Sequence, residues 1–327
     1  MIILIFSILV LGFIVFLAVN SIYKGSVAYR NTHVVINKFN DLIPNNLQLV
    51  NFGSTYAMYA FNCYDDLKLN AFNFALDAQS LEMDDKLLRK YSSKIAPGAT
   101  VIFGLAACVT YYRYSMVSDK SRYYEFLTKS DIPDYSIVKA LRCRFPLSLR
   151  RLKSFIAAIV KGQDVKTIYS DYPSQVTQEK MVANMRGMAD GWINLFHLKD
   201  LQQEDTGVTN LENKTFNTSL LRTMFEYCLN KGWNPVVVIP PFSDILNQYF
   251  GEDFIASSLN DMISQARRNL NVEALDYRMH PAFQQDYGLF LDGGFRLNKR
   301  GSEKFVKLVL RDLNTKGYNL TNSSIGC

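Results

Sequence analysis

A chain of 327 residues with 48% hydrophobic and 20% charged side chains is too apolar to stay disordered, and long enough for one large α/β domain or two small ones. Its formal charge of +6 is small for that length, so net charge gives no ground for nucleic acid as a partner. Three histidines (His33, His197, His280) and five cysteines (Cys63, Cys108, Cys143, Cys228, Cys327) never fall at metal-ligand spacing, so neither a zinc cluster nor a CxxC pair nor a disulfide framework can be read from them.

Residues 1–23 carry no charge, and Ile2 to Val19 is almost entirely Ile, Leu, Val, Phe and Ala. About 20 such residues cross a ~30 Å hydrocarbon core, so a transmembrane anchor is expected. The segment lacks the basic start of a signal peptide, and the nearest cleavage-like triplet, Ser26-Val27-Ala28, comes late. An uncleaved anchor is the preferred reading, followed by a juxtamembrane linker over 24–46.

Beyond it, short apolar runs alternate with helical periodicity. Leu47 to Phe52 predicts a strand ending at Gly53-Ser54-Thr55, and Ala71 to Leu76 predicts a second. Gln79 to Ile95 has helical spacing and is closed by Pro97-Gly98. Thr100 to Val109 predicts a third strand, Pro235 to Ile239 a fourth after a helix over Leu220 to Lys231, and Val272 to Leu275 a fifth. Asn298 to Asn314 predicts a terminal amphipathic helix, leaving 315–327 as a tail. Strands separated by helices imply a parallel sheet covered on both faces, so the expected class is α/β, with ligands at the carboxyl ends of the strands.

Residues 110–215 form an insertion too long for a structureless loop, so helices are expected within it. There, Lys139 to Lys161 carries Lys139, Arg142, Arg144, Arg150, Arg151, Lys153 and Lys161 with no acidic residue. The ordinary reading is a solvated face on a helix pair broken near Pro146. The functional reading is a surface for anionic lipid or an anionic polymer such as a glycan, at ~1 kcal/mol per basic residue near a charged membrane. Tyr111, Tyr112, Tyr114, Tyr123 and Tyr124 cluster upstream; core or interface packing is preferred over sugar stacking.

Four segments then stand in a telling order: NFGSTYAMYAFN (Asn51 to Asn62), NFALDAQSLEMDDKLLRKY (Asn73 to Tyr91), PVVVIPPFSD (Pro235 to Asp244) and LFLDGGFRLNKRGSEKF (Leu289 to Phe305). Together they resemble the blocks of the SGNH (GDSL-like) hydrolases, in particular membrane-anchored members found with bacterial cell-surface polysaccharide machinery. The match spans most of residues 45 to 312. It implies a three-layer α/β/α domain over 47–314 with a short, flavodoxin-like parallel sheet, and no cofactor or metal. It also implies catalytic candidates Ser54 or Thr55 as nucleophile and Asp292 as the carboxylate that orients a histidine.

The chemistry departs from that family. The family carries Asp-x-x-His in its last block, whereas the position three after Asp292 is Phe295, and Arg296 stands before the Leu-Asn pair. Neither side chain takes a proton at neutral pH. The nearest histidine, His280, reads as a locally bonded loop residue. The oxyanion glycine falls near Asp77, where a carboxylate repels developing negative charge, and the Asn donor is absent from Gly104-Leu105-Ala106-Ala107. One lost oxyanion donor costs about 10²–10³ in rate.

The sequence therefore points to a membrane-anchored SGNH-like protein, degenerate at its Ser-His site, that binds glycan or a partner such as a membrane-bound acyltransferase. The alternative is an active esterase or O-acyltransferase on cell-surface glycans with a base from elsewhere. Lys24, Arg30 and Lys38 argue for a cytoplasmic body by the positive-inside rule, but the rule is weak for long domains. The family resemblance favours an extracytoplasmic one. Four sequons, at Asn213, Asn217, Asn319 and Asn322, do not decide the matter.

Overall fold

In the computed structural model, residues 1–41, 43–170, 172, 176–203 and 207–318 are described. The chain divides into two compact units, Met1–Leu42 with Asp119–Asp171, and Ile43–Ser118 with Tyr172–Cys327.

The larger unit is built on five parallel strands: β1 (Leu47–Gly53), β2 (Ala71–Asn73), β3 (Ile95–Gly104), β4 (Asn234–Ile239) and β5 (Glu273–Asp276), in the order β2-β1-β3-β4-β5. Consecutive residues of the central strands are buried, among them Val101, Ile102 and Phe103 in β3 and Val236, Val237 and Val238 in β4. Continuous apolar strands of this kind belong to a parallel sheet with both faces covered.

Several boundaries differ from the sequence expectation: β3 ends at Gly104 rather than Val109, and the helix expected to Ile95 ends at Lys90. Strand β2 stops at Asn73 rather than Leu76; the Asn73 side chain accepts from Ala75 N–H at 3.0 Å, while Phe74 and Leu76 N–H still donate to the Asn51 and Gly53 carbonyls at 2.8 and 3.3 Å. Strand β3 begins at Ile95 and runs through Pro97-Gly98 instead of starting after it. The register against β1 shifts between Leu47↔Ile95 and Leu49↔Thr100, so the proline and glycine sit in a bulge.

The site is positioned by a pair of glycines. Gly53 and Gly104 end neighbouring strands in register, and α4 (Thr55–Ala60) packs Ala57 against both. A Cβ on Gly104 would lie 2.5 Å from Ala57 Cβ, and one on Gly53, whose φ is +135°, would lie 2.3 Å from the Gly104 carbonyl oxygen. Only glycine permits this approach, which starts α4 immediately at the carboxyl ends of β1 and β3.

The longest helices of this unit are α5 (Leu81–Lys90), α8 (Gln178–Phe196), α9 (Val208–Asn230) and the terminal helix Lys299–Thr315. Helix α9 starts twelve residues before the expected Leu220, because its first turns carry buried polar rather than apolar side chains. Asn217 there donates to the carbonyls of Val109, Thr110 and Tyr112 at 3.3, 2.8 and 3.1 Å. Two sequons thus fall on buried asparagines, Asn213 and Asn217, while Asn319, Asn322 and Cys327 lie outside the described residues.

The smaller unit holds α1 (Ile2–Lys24), α2 (Val27–Thr32), α3 (Asn37–Asn40), α6 (Ile137–Arg144) and α7 (Leu149–Lys161). Helix α1 is long and apolar enough to cross a membrane. Residues 24–46, expected as a linker, contain the helices α2 and α3; Ser26, from the cleavage-like triplet, accepts from Tyr29 N–H as the N-cap of α2. The insertion expected over 110–215 does not hold together either, since 119–171 separates from the sheet unit and 172–215 stays with it. The tyrosine cluster is divided accordingly: Tyr111 and Tyr114 are buried in the larger unit, Tyr123 in the smaller.

Candidate functional site

Strand β1 delivers its last residue, Gly53, to a turn whose backbone is held from behind. The Gly53 N–H donates to Asp84 Oδ1 at 2.9 Å, and Gln79 Nε2 donates to the same oxygen at 2.6 Å. Burial pushes the Asp84 carboxyl up to about 7, against the opposing pull of those two donors. Ser54 occupies the N-cap position of α4 in extended conformation, without a capping bond from its side chain, and Thr55 opens the helix.

Thr55 is engaged. Its Oγ1 donates to Asp77 Oδ1 at 2.5 Å and accepts from the Ala78 N–H at 3.1 Å. Asp77, read from sequence only as a carboxylate hostile to an oxyanion, is an exposed partner of the threonine hydroxyl. The Ala78 N–H, in a turn with φ +45°, is spent on Thr55.

The second wall comes from the loop Asp292–Arg296, clipped at its base by Leu291 N–H donating to the Arg296 carbonyl at 2.8 Å. Asp292 is buried, and its Oδ1 accepts from the backbone N–H groups of Gly294, Phe295 and Arg296 at 3.0, 3.2 and 3.3 Å. Arg296 Nη1 approaches the other oxygen at 3.5 Å. Burial raises the carboxyl above its ordinary value; Arg296 and the three N–H donors oppose that rise. Asp292, expected from the resemblance as an orienting carboxylate, organises its own loop through Oδ1. Helix α8 lies over this loop: a Cβ on Gly293 would sit 2.4 Å from Met181 Cβ, and Asn184 Nδ2 donates to the Asp292 carbonyl at 3.2 Å.

Between the two walls is a cavity of about 330 Å³. Ser54, Thr55, Phe295 and Arg296 line it, together with Tyr56, Tyr112, Met116, Met188, Trp192 and Phe196 among others. The Phe295 ring is buried, 5.2 Å from Tyr56 and 6.3 Å from Trp192 between centroids. The Arg296 guanidinium lies 4.6 Å from the centre of the Phe295 ring and 5.7 Å from that of Tyr172. Cys108 is the one cysteine among the lining residues, and burial raises its thiol pKa, which keeps it protonated at neutral pH.

Of the residues singled out in sequence, Ser54 and Thr55 line the cavity, and Asp292 shapes the loop that does. None of the three histidines lines it. His280 Nδ1 accepts from Ala282 N–H and caps the helical turn Pro281–Gln284; His197 ends α8 in left-handed conformation; His33 stacks on Tyr29 in the other unit. Among the described residues no group of three His, Cys, Asp or Glu side chains is placed to hold a metal ion. The aromatic and methionine walls went unread in sequence. Their signal was available in α8, where Met181, Met185, Met188 and Trp192 recur at i, i+4, i+7 and i+11 on one helical face. No protein-family model matches the chain, and no curated protein matches it.

Proposed function

We propose that this is a membrane-anchored, SGNH-like protein of three-layer α/β/α build whose cavity binds a ligand instead of hydrolysing it. It would act as a binding or accessory component in the assembly or modification of a cell-surface polysaccharide. One observation carries the reading: where a Ser-His hydrolase needs its general base, this chain puts Phe295, packed edge to wall with Tyr56 and Trp192, and Arg296 beside it. A nucleophilic hydroxyl without a base is weak, and Asp292 has three backbone donors on Oδ1 and the Arg296 guanidinium, not an imidazole, beside Oδ2.

The lining suits a sugar ring or its acyl substituent. Apolar and aromatic walls with a few polar groups at one end are the usual composition of small-ligand sites. Arg296, Ser54, Thr55, Gln79 and Ser118 supply the cavity's polar side chains. The helix α1 serves as the anchor in this account, and the globular body faces away from the cytoplasm, where such a polysaccharide is met. A membrane-bound acyltransferase is a fitting partner, as the source or recipient of the acyl group.

The test uses Trp192 as the reporter, in a Trp233→Phe background so that it is the only indole. Titration with O-acetylated glycan oligosaccharides should change its emission saturably, and Arg296→Ala should weaken that binding. An unchanged emission with every acetylated and de-acetylated oligosaccharide would count against the reading.

A second reading is favoured by the Thr55–Asp77 pair. A hydroxyl donating directly to a carboxylate at 2.5 Å is a two-residue arrangement in which Asp77 is the proton acceptor, and it supports an esterase or O-acyltransferase with Thr55 as nucleophile. The two readings part on one outcome, the release of acetate from bound ligand.

A further inference from the structure

Helix α1 is apolar but carries a buried polar side chain near its end, Asn20. Its Nδ2 donates to the Arg144 carbonyl at 3.2 Å, and its Oδ1 accepts from Leu147 N–H at 3.3 Å. One side chain thereby fastens both sides of the turn between α6 and α7. Around it, Phe145 lies 6.1 Å from Phe16, and Phe155 of α7 lies 5.5 Å from Tyr23, ring centre to ring centre. Glu125 accepts from the Tyr29 hydroxyl at 2.9 Å and pairs with Lys24 at 3.2 Å, closing the same cluster.

These contacts set a depth. At ~1.5 Å of rise per residue, Asn20 is about 6 Å and Phe16 about 12 Å along the axis before Lys24. With Lys24 at headgroup level, the α6–α7 turn lies where headgroups give way to acyl chains. Interfacial helices bury their apolar faces to a depth of roughly 5–10 Å.

The outward faces of the hairpin fit that place. On α7, Leu149, Ile156 and Val160 fall at i, i+7 and i+11, one stripe, and Leu149 and Val160 are 83% and 79% exposed. On α6, Ile137, Val138 and Leu141 are exposed as well. Around these stripes stand Arg142, Arg144, Arg150, Arg151, Lys153 and Lys161, with no acidic residue anywhere from 139 to 161. A solvated basic face has no use for exposed isoleucine, leucine and valine, and a site for a soluble anionic polymer has none either. An anionic leaflet satisfies both the charge and the apolar stripe.

We propose that the α6–α7 hairpin is an interfacial foot, inserting its apolar stripes into an anionic lipid leaflet beside the anchor while its arginines and lysines meet the lipid phosphates. The proposal rests on α1 spanning a bilayer and is independent of what the cavity binds.

The full chain is incorporated into lipid nanodiscs of phosphatidylcholine with or without 30% phosphatidylglycerol, each with bromine-labelled acyl chains. In a Trp192→Phe, Trp233→Phe background, tryptophan is introduced singly as Ile156→Trp or Val160→Trp, with Met279→Trp, an exposed site in the sheet-bearing unit, as the comparison. In the anionic discs, bromine should quench the 156 and 160 reporters at least twofold more than the 279 reporter. The triple change R150Q/R151Q/K153Q should at least halve that excess. Equal quenching of all three reporters in incorporated protein overturns the proposal. So does a response of the 160 reporter to soluble dextran sulfate without any bromine quenching, which would assign the surface to an anionic polymer. Protein that stays outside the discs overturns the anchor, and the foot with it, but leaves the cavity reading untouched.

Discussion

The ring of Phe295 lies 5.2 Å from the ring of Tyr56, and that contact joins the two walls of the cavity. Tyr56 follows the turn at the end of β1, and Phe295 belongs to the loop organised by Asp292. An imidazole at this place would have to find its orienting carboxylate free. Asp292 Oδ1 already accepts three backbone N–H bonds and Oδ2 faces Arg296 Nη1 at 3.5 Å, so an imidazole would have to displace that guanidinium to reach the second oxygen.

Phe295→His is therefore expected to add a histidine without adding a catalytic one. Hydrolysis of p-nitrophenyl acetate should rise less than tenfold over the unchanged protein, measured at pH 8 where imidazole is neutral. A larger rise, lost again on Asp292→Asn, would mean that the loop can release its carboxylate.

Thr55 and Ser54 give a paired prediction. Neither Ser54→Ala nor Thr55→Ala should change residual acetyl-ester hydrolysis by as much as tenfold. Their stabilities should differ, because only Thr55 holds a hydrogen bond to a carboxylate and one from a backbone N–H. Loss of such bonds costs about 1 kcal/mol, which Thr55→Ser should largely restore in urea unfolding.

Gly293 and Gly98 both have positive φ, +93° and +75°, but different surroundings. An added Cβ at 98 meets nothing within 4 Å, whereas at 293 it meets Met181. Gly98→Ala should cost about 1–2 kcal/mol from backbone conformation alone. Gly293→Ala should cost a further 1–3 kcal/mol, roughly the range for overpacking, and should weaken binding to the cavity. Equal urea midpoints for the two variants would show that α8 does not press on the loop.

The buried Asp84 sets a pH dependence. Its carboxyl titrates near 7 in the folded chain, well above the ordinary 3.8 of the unfolded one. Between those values the folded state holds the extra proton, so this group's contribution to stability falls as pH rises from about 4 to 7 and is flat above. Asp84→Asn keeps an oxygen to accept from Gly53 and Gln79 and removes the charge. It should melt like the unchanged protein near pH 4 and above it at pH 8, by on the order of 3 kcal/mol in stability. A variant less stable at pH 8 than the parent would reverse the argument.

The sheet was legible because its strands are short unbroken runs of Val, Ile and Phe, and the α6–α7 break because proline stands at 146. Strand β3 was misplaced because Pro97-Gly98 reads as a stop, while a bulge lets a strand run through both. The onset of α9 was hidden by Asn210, Asn213 and Asn217, whose burial depends on carbonyls roughly a hundred residues away for Asn217. At the site, Ser54 and Thr55 could be named only through the resemblance of Gly53-Ser54-Thr55 to the Gly-x-Ser of SGNH hydrolases. The hydrogen bond from Thr55 to Asp77 could not, since it depends on β2 lying beside β1.

Whether the cavity holds its ligand without turning it over is read, in both halves, by one proton NMR experiment. An O-acetylated oligosaccharide is mixed with a slight excess of the full chain in detergent and followed for a day at pH 8. Ligand resonances should broaden and sharpen again with Arg296→Ala, while the acetate signal grows no faster than with Thr55→Ala. Stoichiometric acetate appearing at once and vanishing in Thr55→Ala would contradict binding without turnover, and would make the Thr55–Asp77 pair an active centre.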